Sequence, residues 1–126
     1  MIYTNVGRSM LPLLRQGKDL FTLEKKNTAR CRVGDVVLYR RGDQYVLHRV
    51  VEVRENDYVI LGDNCLCREI GISDEDIIGV LTGYVRGGKE HSISDVGYRL
   101  YSALWLHTEK PRIFLKKALY WLRRHL

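Results

Sequence analysis

Three residues of this chain have the types that hydrolytic chemistry needs, and they lie on different stretches: Ser9, His48 and Asp63. Ser9 stands in Gly7-Arg8-Ser9-Met10-Leu11-Pro12. Pro12 lacks an N–H and pushes Leu11 towards an extended conformation, and it suits the first position of a short helical turn over residues 13–16 that Gly17 closes. Ser9 is thereby expected at a kink between an extended entry and that turn, where a hydroxyl can be aimed. A serine hydroxyl is a poor nucleophile without a base in hydrogen-bond reach. His48 is the candidate base. By strand alternation it shares a face with Val46 and Val50, and an apolar face disfavours imidazolium, leaving a neutral ring able to accept a proton. Asp63, between Gly62 and Asn64, is by type a turn former.

The elements that must position these residues are short strands. Residues 19–24 (DLFTLE), 35–40 (DVVLYR), 45–53 (YVLHRVVEV), 58–61 (YVIL) and 77–86 have β-branched and apolar strand content, with Arg41-Gly42-Asp43 and Glu55-Asn56-Asp57 as turns between them. These spacings predict a meander of antiparallel strands, with residues 62–76 as a loop. After Gly87-Gly88 the period changes. Ser94 is the expected N-cap of a helix over residues 96–107, and Pro111 opens a second helical segment, RIFLKKALYWLRRHL. The expected architecture is a mainly β domain over residues 1–93 and a helical tail over residues 94–126.

Composition narrows the class. A chain of 126 residues suits one core, and no apolar run approaches the ~18 to 20 residues of a membrane span. The N-terminal residues MIYTNVGR carry no secretory signal pattern, and Cys31, Cys65 and Cys67 make an odd set that reads as reduced thiols. A cytoplasmic location, or the cytoplasmic face of a membrane, is expected. The net charge of +6 is segregated: residues 1–97 hold 14 basic and 14 acidic residues, whereas residues 98–126 hold seven basic residues against Glu109 alone. No cofactor or metal is expected. Asp63, Cys65 and Cys67 are close in sequence, but Cys-x-Cys without a second pair does not match zinc spacings.

In order, GRSMLP, DVVLYR, YVLHRVV and ILGDN resemble the signal peptidase I superfamily and its autocleaving-repressor relatives over roughly residues 5–85. In that superfamily the serine lies in Ser-Met-x-Pro, matched by Ser9 to Pro12, and a Gly-Asp-Asn turn follows the strand bearing the base. Bacterial signal peptidases and the repressors place a lysine on that strand. Here the position is His48, followed by Arg49, as in the Ser–His enzymes of endoplasmic-reticulum and archaeal type. The resemblance implies the superfamily's antiparallel β-fold of small coiled sheets or a barrel, and serine endopeptidase activity from a Ser9/His48 dyad. It also implies a third, acidic member in or after the Gly-Asp-Asn loop, Asp63 with Glu69 as the alternate. Small substrate side chains beside the cleaved bond and an oxyanion donor in the Ser9 backbone N–H follow too. A histidine base sets an expected activity limb near pH ~6 to 7. Where the family reads Gly-Asp, this chain reads Gly17-Lys18-Asp19, so Asp19 is given no catalytic role. The family's membrane anchor has no counterpart in the eight residues before Ser9.

The expected partner is an extended peptide or protein substrate. The tail has two readings that the sequence leaves open: a helix packed on the body, or an amphipathic helix on an anionic membrane surface through Arg112, Lys116, Lys117, Arg123 and Arg124. Nucleic acid is not expected, because the body is neutral and no reading motif is present. Beside the peptidase stand a catalytically inactive peptide-binding module on the same fold and an autocleaving regulator. The regulator is the least expected of the three, because neither a DNA-binding region nor an attached cleavable segment is expected in this chain.

Overall fold

The computed structural model describes residues 2–4, 9–15 and 17–126. Gly7 and Arg8 of the serine motif, and Gln16 of the expected turn, lie outside the described residues. Strands β1 (Ile2–Thr4), β2 (Leu20–Lys25), β3 (Val36–Arg41), β4 (Gln44–Val53), β5 (Tyr58–Leu61), β6 (Glu69–Ile72), β7 (Ile77–Arg86) and β8 (Lys89–Ser92) precede helices α1 (Val96–His107) and α2 (Glu109–His125). All strand pairs are antiparallel. The protein is therefore mainly antiparallel β with two C-terminal helices.

The order across the sheet is β1-β2-β7-β3-β4-β5-β6, with β8 on the same edge of β7 beyond β3. Of the expected meander only β3 to β5 pair in sequence, and β6 extends it by one strand. β7 enters between β2 and β3, pairing Leu23 with Leu81 on one side and Val37 with Val80 on the other. It is thus an interior strand, with an alternating buried face and partners on both sides. The segment read as loop over residues 62–76 contains β6 and a 3-10 turn at Asp74–Asp76. β6 is a short edge strand set by two pairings to β5, Tyr58–Ile72 and Ile60–Glu69, which local pattern does not announce. β8 is polar throughout. It exists because Gly87 and Gly88 both adopt positive φ, which makes the two-residue turn back onto β7.

Period-2 alternation gives the sheet two apolar faces. On one, Val36, Leu47 and Leu81 meet Met10, Leu13, Leu14, Phe21, Leu23 and Tyr98. On the other, Val37, Tyr39 and Val50 meet Cys31, Tyr58, Ile60, Ile72 and Ile77. The first core thus joins three parts of the chain: the turn after Ser9, the sheet, and α1. The 93/94 division falls between β8 and α1 and marks the change of element type, while packing crosses it through Tyr98. Asp95, one residue after the expected Ser94, stands at the N-cap position of α1, its carboxylate accepting from the Ser92 N–H. Among the described residues no helix is long and apolar enough to cross a membrane.

Candidate active site

The turn carrying Ser9 is held from several directions. It closes with the Leu14 N–H donating to the Met10 carbonyl at 3.0 Å, so the helical turn begins three residues before the expected Leu13. Pro12 follows a cis peptide inside this turn rather than starting it. Met10 and Leu14, 1% and 0% exposed, are its apolar anchors. The Asn64 N–H donates to the Ser9 carbonyl at 2.8 Å, and Arg86 Nη1 donates to the Pro12 carbonyl at 3.0 Å. The fully buried Asp19 carboxylate accepts from the Arg15 N–H at 2.7 Å and from its guanidinium at 2.8–3.1 Å. Burial raises the Asp19 carboxyl, but the opposed bonds from Arg15 hold it below the ordinary value. Asp19 is thus a brace for the serine turn.

His48 lies on the second face of β4, 8% exposed. Burial, then the Arg41 charge, push its imidazolium down to about 4, so the ring is neutral at pH 7. Its Nδ1 lies 3.2 Å from the Tyr39 hydroxyl, and that hydroxyl donates to Glu69 Oε1 at 2.5 Å. Arg41 clamps Glu69, Nε to Oε2 at 3.0 Å and Nη2 to Oε1 at 2.5 Å, and keeps it ionised, its carboxyl below the usual range. A proton count then fixes the tautomer. Tyr39, raised far above its ordinary value chiefly by burial, keeps its single proton and gives it to the carboxylate. Towards Nδ1 the phenol oxygen can only accept, so Nδ1 carries the hydrogen and Nε2 holds the free lone pair. Glu69–Tyr39–His48 is an orienting relay with a phenol interposed.

Asp63 is placed elsewhere. Its two oxygens accept from Arg49 Nε at 2.8 Å and Nη2 at 2.9 Å, and Tyr101 donates to Oδ2 at 2.6 Å. Arg49, 1% exposed, also donates to the Gly34 carbonyl, Tyr98 and Ser102, while Trp105 Nε1 donates to the Asp63 carbonyl at 2.8 Å. Of the two acids expected as the third member, Asp63 bonds Arg49 and Tyr101 among the described residues, and the alternate, Glu69, reaches the ring through Tyr39. Asp63 joins β4, the loop after β5 and α1. Tyr39 and Arg41 are site residues that the sequence reading missed. Counting back from the Arg41-Gly42-Asp43 turn would have found the first. The hairpin pairs Val37 with His48, which makes Tyr39 the diagonal neighbour of His48 on one face.

Ser9 and His48 meet at Gly62. A Cβ there would lie 2.8 Å from the Ser9 carbonyl, 2.9 Å from His48 Cδ2 and 2.5 Å from Cys65 Sγ, none of them tolerable. The hydrogen side chain of Gly62 lets the three converge. Ser9, Arg41, His48, Cys65, Glu69 and Tyr120 line one cleft of about 520 Å³. Among the described residues Ser9 makes no hydrogen bond to His48. Among the described residues Nε2 has a contact to Cys65 Sγ at 3.9 Å, a thiol that burial keeps protonated. The arrangement can take a proton at Nε2 from a hydroxyl brought within reach. No cluster of His, Cys, Asp and Glu suited to a metal occurs among the described residues.

α2 contributes Tyr120 to this cleft and is tied to the body by its first two turns. Arg68 binds Glu109 at 2.6 and 2.9 Å, Arg112 donates to the Asp63 and Trp105 carbonyls, and Lys116 donates to the Asn64 carbonyl and side chain. Positions 109, 112, 113 and 116 are the inward stripe. No family model, curated protein or solved structure matches this chain.

Proposed function

We propose that the chain is a serine endopeptidase of the signal-peptidase-like Ser–His type, acting on an extended peptide or leader segment. The observation that carries this reading is the neutral His48, its tautomer set by Tyr39 and Glu69, with Nε2 facing a cleft that Ser9 also lines. Substrate entering the cleft brings the Ser9 hydroxyl to Nε2. His48 removes its proton as Ser9 attacks the scissile carbonyl, with the Ser9 backbone N–H as oxyanion donor. The imidazolium protonates the leaving amine, and water repeats the sequence on the acyl-enzyme. Tyr39 and Glu69 stabilise the imidazolium without touching substrate. The superfamily's β-fold, a cytoplasmic location and the absence of a resident cofactor belong to this proposal.

The test is mass spectrometry of a peptide library incubated with wild type and three variants. Ser9→Ala and His48→Ala should each abolish cleavage, and the double variant should lose little more, since the pair acts as a unit. Cys65→Ala should still cleave. Loss of activity in Cys65→Ala with retention in Ser9→Ala would reassign the nucleophile. A second reading, a non-catalytic peptide-binding module, is favoured by one observation: the Cys65 thiol, and not Ser9, is the contact of Nε2.

The tail supports a partner proposal as well. Phe114, Lys117, Trp121 and Arg124 follow at spacings of three and four on the outward side of α2, with Phe114 75% and Trp121 59% exposed. This face suits the interface of an anionic membrane, with Lys117, Arg123 and Arg124 meeting headgroups, which makes the protein peripheral on the cytoplasmic face. Of the five cations read from the sequence, Arg112 and Lys116 are turned to the body and do not serve this contact.

A further inference from the structure

Residues 64–66, which line the cleft of Ser9 and His48, also line a second cavity, of about 320 Å³. Its walls are apolar, built from Leu11, Leu66, Trp105, Ile113 and Leu119. Asn64, Cys65 and Leu66 line both cavities, so the two are continuous over one ridge. An extended chain advances roughly 3.3–3.6 Å per residue, so a peptide held at Ser9 can place a side chain beyond this ridge within a few residues.

Arg112 and Lys116, both half-buried, also line the cavity. Their hydrogen-bond partners are neutral oxygens: the carbonyls of Asp63, Asn64 and Trp105, the Thr108 hydroxyl and the Asn64 amide. The neighbouring carboxylates are taken elsewhere, Asp63 by Arg49 and Glu109 by Arg68. Among the described residues neither cation forms an ion pair. Two positive charges therefore border an apolar hollow, and the carboxylates that act on Arg112, Asp63 and Glu109, have their direct ion pairs with other arginines. Leu115 and Leu119, on the same wall, remain 59% and 47% exposed.

We propose that this cavity is a specificity subsite for the substrate peptide, taking one large apolar side chain next to a carboxylate. The inference rests on the peptide-binding part of the reading above and names the substrate's chemistry. The apolar group fills the hollow between Trp105 and α2, and the carboxylate meets Lys116 and Arg112. Small residues at the scissile bond and a large apolar–acidic pair a few residues away then define the substrate.

The experiment uses the full chain with Ser9→Ala, so that binding is read without turnover, and fluorescein-labelled alanine-rich peptides in fluorescence anisotropy. The peptides carry Leu-Glu, Leu-Gln, Leu-Lys or Ala-Glu at one internal position. A further pair ends in leucine with a free or an amidated C-terminus, which separates a side-chain acid from a terminal carboxylate. Leu-Glu should bind at least ~10-fold tighter than Leu-Lys, a preference of about 1.4 kcal/mol. Lys116→Glu should reverse that order. If Lys116→Glu fails to fold by circular dichroism, Leu119→Trp, at a partly exposed position, should fill the hollow and remove the leucine preference. Equal affinities across the series, or an unchanged order in both variants, overturn the proposal. So does a dimer that Leu119→Trp dissolves, because the occupant is then a second copy. Preferential binding without cleavage by wild type leaves the subsite standing and removes the peptidase. Cleavage without any Leu-acid preference does the reverse.

Discussion

Tyr39→Phe removes one oxygen and keeps the ring that fills the second core. That oxygen accepts from His48 Nδ1 at 3.2 Å and donates to Glu69 at 2.5 Å, while Glu69 keeps both bonds from Arg41. The carboxylate is therefore still satisfied in the variant, and the ring nitrogen is not. A buried donor left unpaired costs about 1–3 kcal/mol. The same energy now holds the Nδ1–H form over the Nε2–H form, a bias of roughly 5- to 150-fold, and losing it should give a mixture of tautomers. The fraction of protein with a free Nε2 falls, and the imidazolium formed during attack loses its partner. kcat should drop ~10- to 100-fold with a smaller change in KM. Nitrogen-15 NMR of His48 reads the tautomer without any substrate. Wild type should show Nδ1 protonated and Nε2 bare at neutral pH, and Tyr39→Phe should show both forms. A wild type protonated at Nε2, or a variant with unchanged tautomer and unchanged kcat, would refute the proton count on which the relay rests.

Gly62→Ala should separate Ser9 from His48, because its methyl group meets the Ser9 carbonyl at 2.8 Å and His48 Cδ2 at 2.9 Å; activity should fall steeply, and an active Gly62→Ala places the contact wrongly. The acid limb of kcat/KM should lie well below the ~6 to 7 expected of an ordinary histidine, near the value of about 4 to which burial and Arg41 depress His48. An unfolded chain binds a proton between pH ~6.5 and that value which the folded chain refuses, so stability should fall as pH drops through this window. The loss is of order 3 kcal/mol, and denaturant titrations of His48→Gln should show a flatter slope there. Asp63→Asn leaves the buried Arg49 without its anion and should cost ~3–5 kcal/mol in denaturant unfolding, since removing one partner of a buried pair strands the other charge. A chain ending at residue 110 should keep α1 and its core contacts, lose binding to anionic vesicles, and shed the Lys116 dependence of peptide recognition. Co-sedimentation across a salt series checks this, and vesicle binding by the truncated chain would move the lipid contact off α2.

Strand identities over residues 45–53, 58–61 and 77–86 were legible because β-branched and apolar content is local, and in β7 the buried face also repeats every second residue. The helices at residues 96–107 and after Pro111 were legible for the same kind of reason, a 3.6-residue period that interrupts the β pattern. Ser9 and His48 were legible as types in recurring motifs. Which acid serves the histidine was not. Asp63 and Glu69 lie six residues apart in one polar segment, and nothing local separates them. The choice was made by long-range events: Arg49, on the opposite face of β4 from His48, took Asp63 together with α1, and β6 pairing with β5 brought Glu69 to Tyr39. The placing of β7 between β2 and β3 was equally tertiary, because a strand's pattern says which side is buried and not which neighbour it finds. The need for glycine at position 62 appeared only when three segments met over one missing methyl group.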